Sequence, residues 1–201
     1  QLEIYEYIED LRKYSSFVDE VHSVGGLHPE WDVQHYSELF RRVNQEFPHI
    51  HIKALTAVEV KHIASLSKIS VYDTLKILMK SGLGSLPGGG AEILDDDIRE
   101  IICRGKESSQ EYLDIHKTAH LLGIPTNCTM LFGTIETIEH RVNHMLRLRD
   151  LQQETNGFQC FVPYPFLPDD SRLPDAQLAT GTEILRVVAI SRLMLNNIPH
   201  I

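Results

Sequence analysis

Short apolar segments with strand character alternate with segments of helical periodicity along almost the whole 201-residue chain. The apolar segments cover residues 17–24, 50–55, 84–86, 126–132 and 158–162, and a further one begins at 198–201. Helical spacing covers residues 2–15, 36–47, 57–65, 71–81, 109–122, 137–154 and 182–196, and a shorter helix begins near Asp95. Because each return to the same sheet edge requires a crossover, the alternation predicts an α/β fold with parallel strands.

The chain length limits which α/β architecture is possible. A closed (β/α)₈ barrel needs roughly 250 residues, so 201 residues predict either an incomplete barrel or a doubly wound sheet. We expect one domain spanning residues 1–201, since 42% of the residues are hydrophobic and 23% are charged, as in ordinary globular domains.

Charge and cysteine content exclude several classes of protein. The formal charge of -9 comes from 28 acidic and 19 basic residues, which argues against a nucleic acid or an anionic membrane as partner. No apolar run has the length of a membrane span and the first residues do not resemble a signal peptide, so we expect a cytoplasmic protein. Cys103, Cys128 and Cys160 are too widely spaced to indicate a disulfide framework or a metal knuckle.

Polar and glycine-rich residues follow the apolar segments, where a parallel sheet carries its functional groups. They occupy residues 25–29, 56–59, 87–92, 133–136 and 164–172. The run Pro87-Gly88-Gly89-Gly90 is the most unusual, because glycine costs roughly 0.5–1 kcal/mol in regular structure. It predicts a ligand lying close to the backbone; a loop without chemical role is the alternative.

Two histidine pairs have the spacing of zinc ligands on a helix. His116 and His120, and likewise His140 and His144, are four residues apart and so share a helical face. Neither pair has the glutamate of a His-Glu-x-x-His motif or an evident third ligand, so structural or surface roles are favoured and no metal site is predicted.

Four segments together resemble the radical S-adenosylmethionine superfamily, and within it the aminofutalosine synthase family of the futalosine route to menaquinone. These segments are Gly-Gly-Leu-His-Pro at 25–29, His-Ile-Lys-Ala-Leu-Thr-Ala-Val-Glu at 51–59, Ser-Leu-Pro-Gly-Gly-Gly-Ala-Glu at 85–92 and Thr-Met-Leu-Phe-Gly-Thr-Ile-Glu-Thr at 129–137. The resemblance covers essentially the whole chain and implies a partial TIM-type barrel. Dehypoxanthine futalosine cyclases and deazaflavin synthase subunits share the Pro-Gly-x-x-Ala-Glu pattern.

One departure from the family is large. Members carry a Cys-x-x-x-Cys-x-x-Cys loop whose thiolates hold a four-iron cluster, and the chain contains no such spacing. We therefore expect an internal piece of a longer protein that lacks the first barrel strand with its cluster loop and the last strand. The piece alone is expected to be inactive, and its open strand edges predict possible self-association.

For the complete enzyme, the resemblance implies that S-adenosylmethionine is cleaved reductively to a 5′-deoxyadenosyl radical, with electrons from a separate reductant. The radical adds to the small-molecule substrate 3-[(1-carboxyvinyl)oxy]benzoate, and rearrangement with decarboxylation gives aminofutalosine. Gly25 and Gly26 match the motif that contacts the methionine amino group, and Gly133 and Glu136 match the motif that flanks the adenine. Glu92 could hydrogen-bond a ribose or substrate hydroxyl.

A substrate with two carboxylates requires cations or backbone N–H groups. The candidates are His28, Lys53, Thr56, Gly88, Gly89, Gly90 and Arg172. The cations also have ordinary interpretations as a turn, strand or surface residue. Two alternative functions remain open: a dehypoxanthine futalosine cyclase, and a non-catalytic binding module on a barrel remnant.

Overall fold

The computed structural model describes residues 3–168, 173, 176 and 178–201. In this part of the chain, eight helices and five strands follow one another in the order α1 Ile4–Tyr14, β1 Glu20–Ser23, α2 Val33–Glu46, β2 His51–Ala54, α3 Ala57–Ser67, α4 Val71–Lys80, β3 Leu83–Ser85, α5 Asp96–Ile102, α6 Ser109–Leu121, β4 Thr126–Phe132, α7 Ile138–Thr155, β5 Phe158–Pro165 and α8 Gly181–Met194. They form two compact units that divide between Pro87 and Gly88.

The first unit contains a three-stranded parallel sheet in the order β1-β2-β3. Residues alternate between the two faces of a strand, and in β2 Ile52 and Ala54 are buried whereas His51 and Lys53 are more exposed. Helices α2, α3 and α4 pack against one another. Phe40, Leu75 and Leu78 are almost completely buried, so the core of this unit lies around these helices.

The second unit contains the parallel pair β4 and β5. His200 extends this pairing through a parallel bridge to Cys160, and its carbonyl accepts a hydrogen bond from the Phe161 N–H at 2.9 Å. Among the described residues, the predicted further strand at 198–201 pairs through this bridge alone. Tyr112, Phe158 and other aromatic side chains fill the core.

Side chains that begin the helices explain where the helices start. Ser70 accepts a hydrogen bond from the Asp73 N–H and so caps α4, which confirms the predicted N-cap. Ser108 with Glu111, and Thr56 with Glu59, form reciprocal capping boxes at α6 and α3. These local signals fix the helix boundaries before any tertiary contact is considered.

The predicted α/β fold with parallel strands is confirmed, and neither sheet closes on itself within the described residues. The predicted buried strand at 17–24 is wrong at its start and in its burial, since every residue of β1 is exposed or half-buried. Phe17 is 85% exposed and its N–H donates to the Tyr14 carbonyl in a turn that follows α1, so pairing begins only at Glu20. The single domain spanning 1–201 stays a prediction.

None of the helices in the described residues combines the length and the apolar character that a membrane crossing demands.

Candidate functional site

A buried carboxylate joins the ends of β1 and β2. Glu59, 4% exposed, accepts a hydrogen bond from the Gly25 N–H at 2.9 Å. Its other oxygen accepts from the N–H and the hydroxyl of Thr56, both at 2.8 Å. Glu59 therefore fixes the backbone of the loop after β1 against the start of α3.

Gly25 and Gly26 leave open space beside this carboxylate. A Cβ placed on either residue would meet no non-adjacent heavy atom of the described residues within 4 Å, although Gly26 also has a φ of +89°. In the described residues, the carbonyl oxygens of both glycines accept no hydrogen bond. Packing of the chain itself does not explain the missing side chain at Gly25, so the space is available to a ligand.

A second buried carboxylate repeats the arrangement at the end of β4. Glu136 accepts from the Gly133 N–H at 2.7 Å and from the Thr134 N–H at 2.8 Å. Its side chain is inaccessible to solvent and forms an ion pair with Arg141 at 2.7 Å. The N-cap of α7 is Thr137, so Glu136 binds the preceding loop rather than the helix start.

The ionisation of Glu136 follows from these contacts. Burial raises the pKa of its carboxyl group, but hydrogen bonds from Thr134 and Gly133 and the charge of Arg141 outweigh burial, and the net pKa lies below its ordinary value. Arg141 also contacts Glu183 of α8 at 2.9 Å. The carboxylate therefore stays ionised and holds the loop.

Each of these loops borders a cavity within its own unit. A cavity of about 230 Å³ beside Gly25 and Glu59 is lined by aliphatic and aromatic side chains, including Tyr7, Trp31 and Tyr36. In the second unit, a cavity of about 510 Å³ beside Glu136 lies between α7 and α8.

The glycine-rich loop after β3 is held through its carbonyl groups. Gly88 accepts from the hydroxyls of Tyr112 at 2.8 Å and Thr129 at 3.0 Å. The buried guanidinium of Arg99 donates to the carbonyls of Gly90 at 3.3 Å and of Ala91. These buried donors fix the path of the loop.

The structure gives a further reason for the glycine at position 88. Its φ is +82°, and an added Cβ would overlap the backbone carbonyl of Asn127 in β4. On the side where a Cβ would lie, the group close to Gly88 is therefore the backbone of β4. Gly90 also has a positive φ of 98°. The predicted role of Gly89 in binding the substrate stays a prediction.

Glu92 lies in the same loop, with a left-handed φ of 45°. Its carboxylate is 2.6 Å from the ammonium of Lys106, and its carbonyl accepts from the Leu131 N–H of β4 at 2.8 Å. Helix α5 begins only at Asp96, with Asp95 as its N-cap, so Glu92 is not a helix-start residue.

The predicted substrate-binding cations of the first unit already have partners. The His28 ring stacks on Trp31 at a centroid distance of 4.2 Å, and its Nδ1 accepts from the Glu30 N–H. The Lys53 ammonium is 3.0 Å from Glu20. Thr56 lies beside Glu59 as described above, and Arg172 falls outside the described residues.

One predicted histidine pair forms a directed hydrogen-bond chain. Thr155 donates its hydroxyl proton to the Leu151 carbonyl, so His120 Nδ1 must donate to Thr155 at 2.6 Å. Thr126 then donates to His120 Nε2 at 2.8 Å and accepts from His116 Nδ1 at 2.9 Å. Burial lowers the pKa of His116 to about 3 and of His120 to about 4, so both rings are neutral.

The other pair separates into two structural residues. His144 is buried, accepts from the Leu94 N–H at 3.0 Å and lies 3.0 Å from the Thr129 carbonyl, so it connects the glycine-rich loop to β4. His140 belongs to the capping box of α7. No group of three or more potential metal ligands occurs within the described ranges.

Sequence reasoning located Glu59 only as part of the segment 56–59 and gave it no role of its own, and it missed Arg99 and Arg141. The Thr-x-x-Glu pattern at 56–59 could have indicated a capping box at Glu59. No sequence signal shows that Glu59 also binds Gly25, 34 residues away. Arg99 and Arg141 lie on helices, where an arginine is normally exposed, and only the tertiary structure reveals their buried partners.

Comparison with known proteins identifies a family that resembles the chain. The family model of the radical SAM superfamily matches residues 1–148. The aminodeoxyfutalosine synthase of Thermus thermophilus is 44% identical over 94% of this chain and 52% of its own length. The 5-amino-6-(D-ribitylamino)uracil--L-tyrosine 4-hydroxyphenyl transferase of Methanothermobacter thermautotrophicus is 45% identical over 87% of this chain and 48% of its own length.

A solved structure supports the fold. The crystal structure of methylornithine synthase superposes with a TM-score of 0.74 and 18% identity, covering all of this chain and 55% of that one. The chain thus spans about half the length of the curated relatives it matches. The match to more than half of its residues shows that the chain belongs to the radical SAM superfamily.

Proposed function

We propose that the complete protein containing this chain is an aminodeoxyfutalosine synthase. The 44% identity to the Thermus thermophilus enzyme over 94% of the chain carries the proposal. The reaction breaks the bond between C5′ and sulfur in S-adenosylmethionine, joins the 5′-deoxyadenosyl group to 3-[(1-carboxyvinyl)oxy]benzoate, and releases methionine and carbon dioxide. The product is aminofutalosine, a precursor in the futalosine route to menaquinone.

The residues of this chain fit a part of S-adenosylmethionine. The space at Gly25 and Gly26 and the carbonyl oxygens of both glycines, which accept no hydrogen bond from the described residues, suit the amino group of the methionine moiety. Gly133 and Glu136 are assigned to the adenine end, with Glu136 holding the Gly133 amide. When bound with the cluster, S-adenosylmethionine supplies the 5′-deoxyadenosyl radical.

The residues of this chain do not fit the four-iron cluster. The chain has three cysteines, at 103, 128 and 160, without the spacing of the cluster loop. Burial raises the pKa of both Cys103 and Cys128, which favours the thiol over the thiolate that iron requires. We therefore assign the cluster and the entry of electrons from the reductant to other parts of the complete protein.

The chain contributes by holding loops and binding the substrate. Glu59 and Glu136 fix the amides of Gly25 and Gly133, so that the loops need not reorganise during the reaction. His28, Lys53, Thr56, Arg172 and the run Gly88–Gly90 are assigned to the substrate, and Glu92 to a ribose or substrate hydroxyl. We expect these residues to position the substrate and to exclude water from the radical.

A second candidate follows from the 45% identity to the tyrosine 4-hydroxyphenyl transferase, which equals the identity to the synthase within one per cent. In that case the complete protein would act on L-tyrosine and 5-amino-6-(D-ribitylamino)uracil. The two functions require different substrate groups at the same cofactor site, so substrate choice separates them.

The test is an anaerobic assay of the complete protein with reductant and S-adenosylmethionine. Parallel reactions contain 3-[(1-carboxyvinyl)oxy]benzoate, dehypoxanthine futalosine, or L-tyrosine with 5-amino-6-(D-ribitylamino)uracil. Aminofutalosine in the first reaction alone supports the proposal. Product in either of the other reactions alone assigns the protein to that relative, and no product in any of them indicates a non-catalytic module.

We propose a cytoplasmic location. The proposal is based on the composition and on the lack of an apolar run of membrane length in the printed sequence. Self-association through open strand edges also stays a proposal.

A further inference from the structure

One face of the sheet in the first unit is unusually charged. The parallel register places Glu20 beside His51 and His22 beside Lys53, so these four side chains share one face of β1 and β2. In (β/α) barrels the interior positions are filled mainly by branched aliphatic side chains. Four titratable side chains in two neighbouring strands cannot form such a packed layer, because each must keep a polar partner or water.

The opposite face of β2 is the face covered by helices. Ile52 and Ala54 are 3% and 0% exposed, and Ala54 borders a cavity together with Tyr36 and Phe40 of α2. The charged side chains therefore lie on the face away from the helices, which in a barrel of this family faces the interior.

Glu20 holds the ammonium of Lys53 on this face. Its Oε1 is 3.0 Å from Lys53 Nζ and 2.6 Å from His22 Nε2. Desolvation raises the pKa of Glu20, but the hydrogen bonds from His22 and Lys53 outweigh it and lower the net pKa, so the carboxylate is charged. The Lys53 side chain is only 12% exposed, which strengthens its ionic interactions.

The Lys53 ammonium retains donors for a ligand. An ammonium group has three N–H bonds, and the described part of the chain provides Lys53 with the single partner Glu20. His51 lies on the same face, and its Nε2 is 2.7 Å from the Ser85 hydroxyl. An alanine at Gly84 would overlap the His51 ring, so the glycine in β3 makes room for the imidazole.

We propose that this charged face binds one carboxylate of the substrate through Lys53, with Glu20 as the residue that positions the ammonium. The inference rests on the proposed function, in which the substrate carries two carboxylates. His22 and His51 flank the ammonium and form the polar sides of the site. The Glu20 carboxylate takes one N–H of the Lys53 ammonium, and the remaining N–H groups can donate to a carboxylate of the ligand.

The experiment measures binding of three ligands to the complete protein without reductant, so that no turnover occurs. The ligands are 3-[(1-carboxyvinyl)oxy]benzoate and its two monomethyl esters, each of which lacks one of the two charges. The variants are Lys53→Met, Lys53→Arg and Glu20→Gln. Lys80→Met, at an exposed position of α4, is the matched control. The affinity for S-adenosylmethionine, measured in parallel, reports whether the variants remain folded.

We expect Lys53→Met to weaken diacid binding by about 10- to 100-fold, with Lys53→Arg within about 3-fold of wild type. For one monoester, whose blocked carboxylate is the one that Lys53 binds, Lys53→Met should have no effect. Glu20→Gln should weaken diacid binding by about 3- to 10-fold and leave the affinity for S-adenosylmethionine unchanged.

Equal losses for the diacid and both esters would overturn the inference, because they would show a general effect on the site. Unchanged diacid binding in Lys53→Met would also overturn it. If the wild-type protein binds S-adenosylmethionine but not the diacid, the proposed function fails first. That outcome is distinct, since it appears before any substitution is compared.

Discussion

The carboxylate of Glu59 lies 2.9 Å from the backbone nitrogen of Gly25, and Glu136 stands in the same relation to Gly133 at 2.7 Å. In each unit, a buried acid fixes the amide of a glycine that follows a parallel strand. At Gly25 the amide is thereby fixed while the space where a side chain would begin stays open to the extent that the described residues show.

Two glycines should respond in opposite ways to alanine. At Gly25 a Cβ meets open space and φ is not positive, so Gly25→Ala should leave the free energy of unfolding unchanged or raise it by up to about 1 kcal/mol. Its affinity for S-adenosylmethionine should fall by about 10-fold or more, because the methyl group occupies the ligand's space. Equilibrium dialysis of the complete protein measures this affinity.

Gly88→Ala should mainly destabilise the fold. The added Cβ overlaps the Asn127 carbonyl at a φ of +82°, and we expect a loss of about 2–4 kcal/mol in urea unfolding. Gly25→Ala is the matched control. A Gly88→Ala protein of wild-type stability would show that the loop is not packed against β4 as described.

Glu136→Gln should destabilise the second unit, because Arg141 loses its buried counterion. We expect a loss of about 1–3 kcal/mol at pH 7. The pKa of Glu136 lies below its ordinary value of 4.5, so its contribution is present above pH 4.5 and disappears as pH falls through the lowered folded-state pKa. The difference between wild type and variant should therefore shrink in acid.

Urea unfolding at pH 7 and in acid measures this difference. The control is Glu139→Gln, at an exposed position in the first turn of α7. A difference that grows as the pH falls would contradict the assigned ion pair.

The buried histidines should make the protein sensitive to acid. Burial lowers the pKa of His116 from 6.5 to about 3 and of His120 from 6.5 to about 4. Their neutral state is fully stabilising above pH 6.5, and the contribution is lost as pH falls below 6.5 toward these values. At pH 5 the unfolded state gains about 2 kcal/mol for each such ring.

Substituting one of these rings should reduce the acid sensitivity. Comparison of unfolding free energies at pH 7 and pH 5 should show a smaller decrease for His116→Met than for wild type. His49→Gln, at an exposed position, should keep the wild-type decrease. Equal decreases in all three proteins would mean that His116 is not buried as a neutral ring.

Glu92→Gln should lower turnover of the complete enzyme by at least about 10-fold, since a charge-assisted hydrogen bond at the reacting centre is weakened. The 2.6 Å ion pair with Lys106 supplies the control. If Glu92 contacts a ligand, Lys106→Met should retain most of the activity. An equal loss of turnover in both variants would show that Glu92 acts only through its ion pair with Lys106.

Sequence patterns predicted the bounds of an element correctly where residues next to it in the chain determine where it starts and ends. Thr126–Phe132 was predicted at its observed bounds, because an apolar run lies between Pro125 and Gly133. The prediction that the first strand begins at Phe17 was wrong. Hydrophobic periodicity does not show that a turn after α1 exposes this residue.

The candidate site was predicted only in part. The loops at Gly25 and Gly133 were located from their position after strands and from the resemblance. The residues that hold these loops could not be predicted from the sequence. The hydrogen bond between Glu59 and Gly25, and the close approach of Asn127 to Gly88, depend on the tertiary structure.

The most direct test of the central claim follows the 5′ carbon of S-adenosylmethionine. The complete protein is incubated anaerobically with reductant, 3-[(1-carboxyvinyl)oxy]benzoate and S-adenosylmethionine carrying ¹³C at that carbon, and the products are identified by mass spectrometry and NMR. We predict that the label appears in aminofutalosine, bonded to a carbon of the substrate. Label found only in free 5′-deoxyadenosine, with the benzoate unchanged, would contradict the account.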